Sequence, residues 1–168
     1  MNIDKHFDCI IEIIEGERNY KYEIDEKLNM LRLSRVLPFS LSYPTNYGYI
    51  PETISEDGDP LDVMLYTPWG PMNHLSVVSC VPLGIIKLTD NESQDHKILA
   101  VPCPRTCRES ESSMPTNLQE VDPRVLKQIK HFLQNYKPSG SIEFLGWGDA
   151  AEAWKYIAQC YQAFNSQK

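Results

Sequence analysis

The sequence predicts an α+β domain that is mainly β, a small closed barrel followed by two helices. Three observations carry this. Through the first hundred residues, short runs rich in β-branched and aromatic residues follow one another with turn residues between them, which favours a barrel over a parallel sheet. Two apolar stripes at helical spacing, each behind a capping aspartate, close the chain. The chain has 168 residues, enough for one domain with a sizeable core and too few for two ordinary ones.

Taken in order, residues 8–14 (DCIIEII) and 20–24 (YKYEI) read as strands, with Gly16-Glu17-Arg18-Asn19 as a turn between them. Further strands are expected at 31–35, 63–66, 76–88 (broken at Pro82 or Gly84) and 97–101. From 102 to 121 proline, serine, glutamate and cysteine dominate with little to bury, so a long surface loop is expected. Asp122 before Pro123 is an N-cap with proline at the first helical position. Val125, Leu126, Ile129, Phe132, Leu133 and Tyr136 then share one face, and the helix ends near Lys137 because Pro138-Ser139-Gly140 cannot continue it. The second helix starts at Asp149 with Glu152 completing a capping box, and its stripe is Ala153, Trp154, Ile157, Cys160, Tyr161 and Phe164. No internal repeat occurs.

Composition narrows the function. A hydrophobic fraction of 42% and a charged fraction of 23% are globular values. No apolar run approaches the roughly 20 residues of a membrane helix. The first residues lack the basic and apolar stretches of a signal peptide, so a cytoplasmic location is expected. A formal net charge of −7 disfavours nucleic acid and anionic lipid as partners. Five cysteines, an odd number, read as reduced thiols. Cys103 and Cys107 are four apart, but no Cys-x-x-Cys or paired histidines accompany them, so two loop thiols are expected rather than a zinc site.

The chemistry concentrates in residues 57–63, Asp57-Gly58-Asp59-Pro60-Leu61-Asp62-Val63. Three aspartates within six residues repel one another unless a cation holds them, and oxygen-only ligands select hard divalent ions such as Mg²⁺. A calcium loop of the EF-hand kind fails at Leu61, Asp62 and Pro68; an acidic surface turn remains the plain alternative. A second acidic run brings Asp90 and Asp95 to a loop between two strands, though taken alone it could equally be a solvated hairpin tip. Basic and phenolic residues recur near carboxylates: Lys21 and Glu23 on one side of a strand, Arg35, Tyr43, Tyr47, Lys97 and Tyr136-Lys137. Each alone is commonly a surface charge or a rim tyrosine. Together they suit a polyanion bridged by metal, the equipment of phosphoryl transfer. Neither a P-loop nor a Gly-x-Ser-x-Gly elbow is present.

These residues resemble the family I soluble inorganic pyrophosphatases. Residues 57–63 fit that family's signature, and the match extends through Ile11-Glu12-Ile13, Lys21-Tyr22-Glu23, Arg35, residues 43–49, Asp90, Asp95-His96-Lys97, His131-Phe132 and Tyr136-Lys137. The resemblance implies a five-stranded barrel of the OB type with flanking C-terminal helices. It also implies hydrolysis of pyrophosphate to two phosphates, with several Mg²⁺ per active site and a metal-activated water as nucleophile. By the same resemblance Asp57, Asp62, Asp90, Asp95 and Glu23 bind metal, and Asp59 accepts the proton of the attacking water. Lys21, Arg35, Tyr47, Tyr136 and Lys137 contact phosphate oxygens, while Glu12, Tyr43 and Lys97 support the site. The compact length resembles bacterial members, which are usually homohexamers. An OB-type nucleic-acid-binding module without catalysis is the alternative, since nine tyrosines would allow base stacking; a calcium-binding structural protein is the third reading.

Overall fold

The computed structural model describes residues 5–38, 41–104, 114–137 and 140–167. Five strands close into a ring: β1 (Phe7–Ile13), β4 (Asn46–Ile50), β5 (Leu61–Leu65), β8 (Lys97–Pro102) and β6 (Val77–Asp90), which pairs back to β1. Only the β5–β8 pairing is parallel; the other four are antiparallel. In chain order this is the 1-2-3-5-4-1 circuit of an OB-type barrel. The expected mainly β fold with its OB-type ring is the one observed. A separate hairpin, β2 (Tyr20–Asp25) with β3 (Met30–Val36), stands beside the ring. Beyond the barrel, β6 continues to pair β7 (Ser93–Gln94) and β9 (Ile142–Gly148).

Both faces of the ring are covered, so alternate residues enter different apolar clusters. In β5, Leu61, Val63 and Leu65 join the cluster backed by α2 (Ala150–Asn165), whereas Met64 joins the one backed by α1 (Pro123–Asn135). In β8, Ile98 and Ala100 go one way and Leu99 and Val101 the other. The same period of two puts Asp62 on the face of Met64 and Lys97 on the face of Leu99. Two charged residues therefore stand side by side at the end of the layer that α1 covers.

The helices start as expected. Asp122 caps α1 by accepting from Arg124 N at 2.8 Å, and Pro123 takes the first position. Asp149 caps α2 by accepting from Glu152 N at 2.9 Å. Glu152 does not complete the capping box; it pairs instead with Lys87 at 2.9 Å. Four further expectations change. Residues 46–50 form a strand that the sequence did not signal, because NYGYI lacks β-branched runs and is buried throughout. The break at Pro82 or Gly84 is a register shift inside one continuous strand. Residues 142–148 pair β6 despite two glycines. The 102–121 connector is not all surface: Cys103, Met114 and Val121 are buried, and Leu118–Glu120 is a 3-10 turn capped by Asn117. Residues 105–113 of that connector, with Cys107, lie outside the described residues, as do Pro138 and Ser139.

Candidate active site

The loop between β4 and β5 is closed at its neck by Thr53. Its buried hydroxyl donates to Ile50 O at 2.6 Å and accepts from Leu61 N at 2.9 Å. Within the loop, Gly58 at φ 88° makes a turn that residues with a Cβ rarely adopt. Asp57 Oδ1 accepts from Ser55 Oγ at 2.6 Å and from Asp59 N at 3.0 Å, so Asp57 is tied back. Asp59 stays exposed; partial burial, then Asp57, Asp62 and Glu23, raise its carboxyl above the ordinary value.

Next to this loop, parallel pairing of β5 and β8 brings Lys97 to Asp62, with Nζ 2.7 Å from Asp62 Oδ2 and 3.1 Å from Asp95 Oδ1. The Lys97 side chain is 1% exposed. Burial disfavours its charge, yet Asp62, Tyr136 and Asp95 outweigh that and raise it well above its usual range. Burial likewise opposes the Asp62 carboxylate, but Lys97 and Lys21 prevail and hold it low. For Asp95 burial prevails over Lys97, and its carboxyl is raised.

The hairpin supplies the opposite wall. Lys21 and Glu23 contact each other at 2.5 Å, and Lys21 lies across from Arg35 in the register. Glu12, on β1, holds the hairpin by accepting from Ile24 N at 2.7 Å. Its carboxyl is pushed up to about 7, first by burial, against which the Ile24 hydrogen bond works, and then by Asp62. Just past the end of α1, its C-cap Tyr136 and the following Lys137 close the site; Lys137 pairs with Asp90. The Arg35 guanidinium lies 4.8 Å from the Tyr136 ring centre.

A cavity of about 230 Å³ results, and it gathers ten of the fourteen residues singled out by sequence. These are Glu12, Lys21, Glu23, Asp57, Asp59, Asp62, Asp95, Lys97, Tyr136 and Lys137. Arg35, Tyr43, Tyr47 and Asp90 stand just behind the wall, where Tyr43 and Tyr47 pack edge to face at 5.4 Å. Glu26 and Tyr49 line the cavity too, without having been singled out. Tyr49 was within reach of the sequence, as it alternates with Tyr47 and pairs with Asp62.

Glu12 gives a testable pH dependence. Between about 4.5 and 7 the folded metal-free protein holds a proton on Glu12 that the unfolded chain releases. Stability from this group is full below the unfolded value and falls as pH rises through the folded one. Glu12→Gln is expected to remove up to about 3 kcal/mol of that loss. Urea unfolding at pH 5 and pH 8 in chelator checks it; equal slopes in both proteins would rule Glu12 out.

Seven carboxylates and three lysines face the cavity, so it is negative. Among the described residues no three acids converge on one point as metal ligands. Asp62 and Asp95 close on Lys97 instead, Asp90 on Lys137 and Glu23 on Lys21. The donor set still fits a hard divalent cation. The lining has oxygen donors without histidine or cysteine. Beside the cavity four buried atoms lack a partner and are donors: Arg35 Nε and Nη2 and the hydroxyls of Tyr43 and Tyr47, the last close to Asp62. Buried groups left unpaired are uncommon, and these four ask for an acceptor-rich ligand.

The family profile described as inorganic pyrophosphatase matches residues 9–165. The chain belongs to the inorganic pyrophosphatase family. It is 39% identical over 163 residues to the inorganic pyrophosphatase of Buchnera aphidicola subsp. Schizaphis graminum, covering 95% of this chain and 89% of the relative. It is 39% identical over 159 residues to that of Ralstonia nicotianae, covering 93% and 89%. The solved inorganic pyrophosphatase of Coxiella burnetii superposes with a TM-score of 0.87 at 36% identity, covering 95% of each chain. As an inorganic pyrophosphatase the chain hydrolyses pyrophosphate to two phosphates, and this family requires a divalent metal. The nucleic-acid-binding alternative is not favoured.

Proposed function

We propose that this cavity hydrolyses pyrophosphate with several Mg²⁺ held by Asp57, Asp62, Asp90, Asp95 and Glu23, and with Asp59 taking the proton of the attacking water. The observation that carries the proposal is the excess of seven carboxylates over three lysines in the wall of the cavity. Such a wall repels a polyanion unless cations reverse its field. Mg²⁺ bound there supplies that charge and lowers the pKa of a nearby water. Lys21, Arg35, Tyr47, Tyr136 and Lys137 bind phosphate oxygens, and the unpaired Arg35 and Tyr47 donors support that role. Tyr43 and Lys97 shape the surround. Lys137 exchanges Asp90 for substrate, which frees Asp90 for a cation.

Phosphate release from pyrophosphate with Mg²⁺, and its loss in chelator, tests the cofactor. Arg35→Ala or Lys21→Ala is expected to raise KM roughly 10- to 100-fold, the worth of one charged hydrogen bond, with Mg²⁺ affinity kept. Loss of Mg²⁺ affinity in these variants would refute the division of labour.

The proposal includes one domain acting in the cytoplasm as a homo-oligomer, with a hexamer favoured. The buried thiols Cys9, Cys80 and Cys160 suit a reducing compartment. The exposed Leu28, Met30, Leu33 and Val36 of the hairpin offer apolar surface to a second copy. Among the described residues no helix is long and apolar enough to cross a membrane. Sedimentation velocity reads the subunit count, and a monomer would overturn that part.

A further inference from the structure

One face of α2 touches both acidic loops. Cys160 O accepts a hydrogen bond from Ile54 N at 3.1 Å, near the start of the loop that carries Asp57 and Asp59. One turn earlier, Tyr156 lays its ring against His96, with centroids 5.4 Å apart and planes at 53°. His96 stands between Asp95 and Lys97, and its Nδ1 lies 3.1 Å from Leu88 O and 3.2 Å from Leu88 N. That contact spans the β6–β7 hairpin on which Asp90 sits. Residues four apart stack on one side of a helix, so Tyr156 and Cys160 form a single contact surface.

Tyr156 is 9% exposed, and its hydroxyl is buried with no hydrogen-bond partner. Gln94 and the Cys160 thiol both lie close to it, near enough to favour the ionised phenol and the ionised thiol respectively, but outside hydrogen-bond geometry. Burial, with Cys160, Glu56 and Asp57 adding to it, pushes the phenol to about 12, so it remains a donor at neutral pH. An unpaired buried hydroxyl costs about 1–3 kcal/mol, and phenylalanine would fill the same space without that cost. Packing therefore explains the ring and leaves the oxygen unexplained.

We infer that Tyr156 is a positioning residue for the acidic site, its ring fixing the Asp95 loop through His96 and its hydroxyl reserved for an acceptor on the Asp57 loop. This rests on the reading of Asp57 and Asp95 as ligands of the divalent cation. In the metal-free arrangement Asp57 is turned to Ser55 and to the Asp59 backbone. Asp57 and Asp95 would hold the cation on that reading, and an Asp57 loop released from these contacts would offer the hydroxyl an acceptor. Tyr156 thus acts as an outer-sphere support: it touches neither substrate nor cation and sets the geometry of the groups that do.

The test is calorimetric titration of Mg²⁺ into the substrate-free protein for wild type, Tyr156→Phe and Asp57→Asn, with thermal unfolding of each in chelator. Tyr156→Phe is expected to weaken Mg²⁺ binding about 10-fold or more, the usual effect of losing an outer-sphere partner. Its unfolding midpoint in chelator should equal or exceed that of wild type, because the unpaired hydroxyl is gone. A residue that only packs would leave Mg²⁺ affinity unmoved. Wild-type Mg²⁺ affinity in Tyr156→Phe, with affinity lost in Asp57→Asn, overturns the role of Tyr156 and keeps the ligand reading. Wild-type affinity in Asp57→Asn overturns both.

Discussion

Asp59→Asn is expected to lower kcat by roughly 10²–10⁴, the range for loss of a general base, with KM, Mg²⁺ affinity and fold nearly unchanged. The five acids proposed to hold metal are engaged. Asp57 is held by Ser55 and a backbone amide, Asp62 and Asp95 share Lys97, Asp90 has Lys137 and Glu23 has Lys21. The Asp59 carboxylate makes no ion pair among the described residues, and it faces the same cavity. Partial burial and three neighbouring carboxylates raise its proton affinity, which makes it the better base. Asparagine keeps the shape and cannot take the proton. Phosphate release at saturating pyrophosphate and Mg²⁺, followed against pH, reads the result. In wild type, kcat falls as pH drops through the Asp59 value, because a protonated carboxyl is no base; in the variant that limb disappears. A kcat within a few-fold of wild type would give the proton to another acceptor.

What the sequence made legible follows from how local each signal is. Residues 8–14 and 20–24 announce themselves because more than half of their side chains are β-branched or aromatic, and no end differs from the observed strand by more than one residue. Residues 46–50 do not, since their strand character comes from β1 and β5 on either side. Residues 142–148 are similar: Gly148 sits where a Cβ would run into the Glu152 carboxylate and press within 2.6 Å of Ile85, a demand set by α2 and β6 and invisible in the segment itself. In the site, the Asp57–Asp62 run was readable because it is contiguous. That Lys97 serves Asp62, thirty-five residues away, needs the parallel β5–β8 pairing. Tyr156 is hidden for the same reason: it packs in the apolar cluster beneath α2 with Ala153, Ile157 and Cys160, and its contact with His96 is a long-range one that periodicity along α2 does not show.

Lys97→Met is expected to cost the metal-free protein about 3–5 kcal/mol at neutral pH, and Mg²⁺ is expected to return much of it. Lys97 is buried to 1% exposure between two carboxylates and lies 5.9 Å from the Tyr47 ring centre. Methionine fills most of that volume, so the loss is chiefly of charge. The sign follows from the folded values. Lys97 is raised above the unfolded 10.5, so its contribution is present throughout the range below that and lost only as pH climbs through the folded value. Without it, Asp62 and Asp95 face each other with only Lys21 and Lys137 to offset them, and both carboxyls rise. The folded variant then holds protons that the unfolded chain has released, and its stability falls as pH rises out of the carboxylate range. The deficit should be small near pH 4 and largest at pH 8. Mg²⁺ bound at the same two carboxylates restores the missing charge, by about 2.7 kcal/mol at a hundred times its Kd, and the variant should gain more from it than wild type does. Urea unfolding at pH 4 and 8, with Mg²⁺ and with chelator, separates the cases. A deficit equal at both pH values and indifferent to Mg²⁺ would mean that Lys97 serves packing, and the two carboxylates would lose their claim to a shared cation.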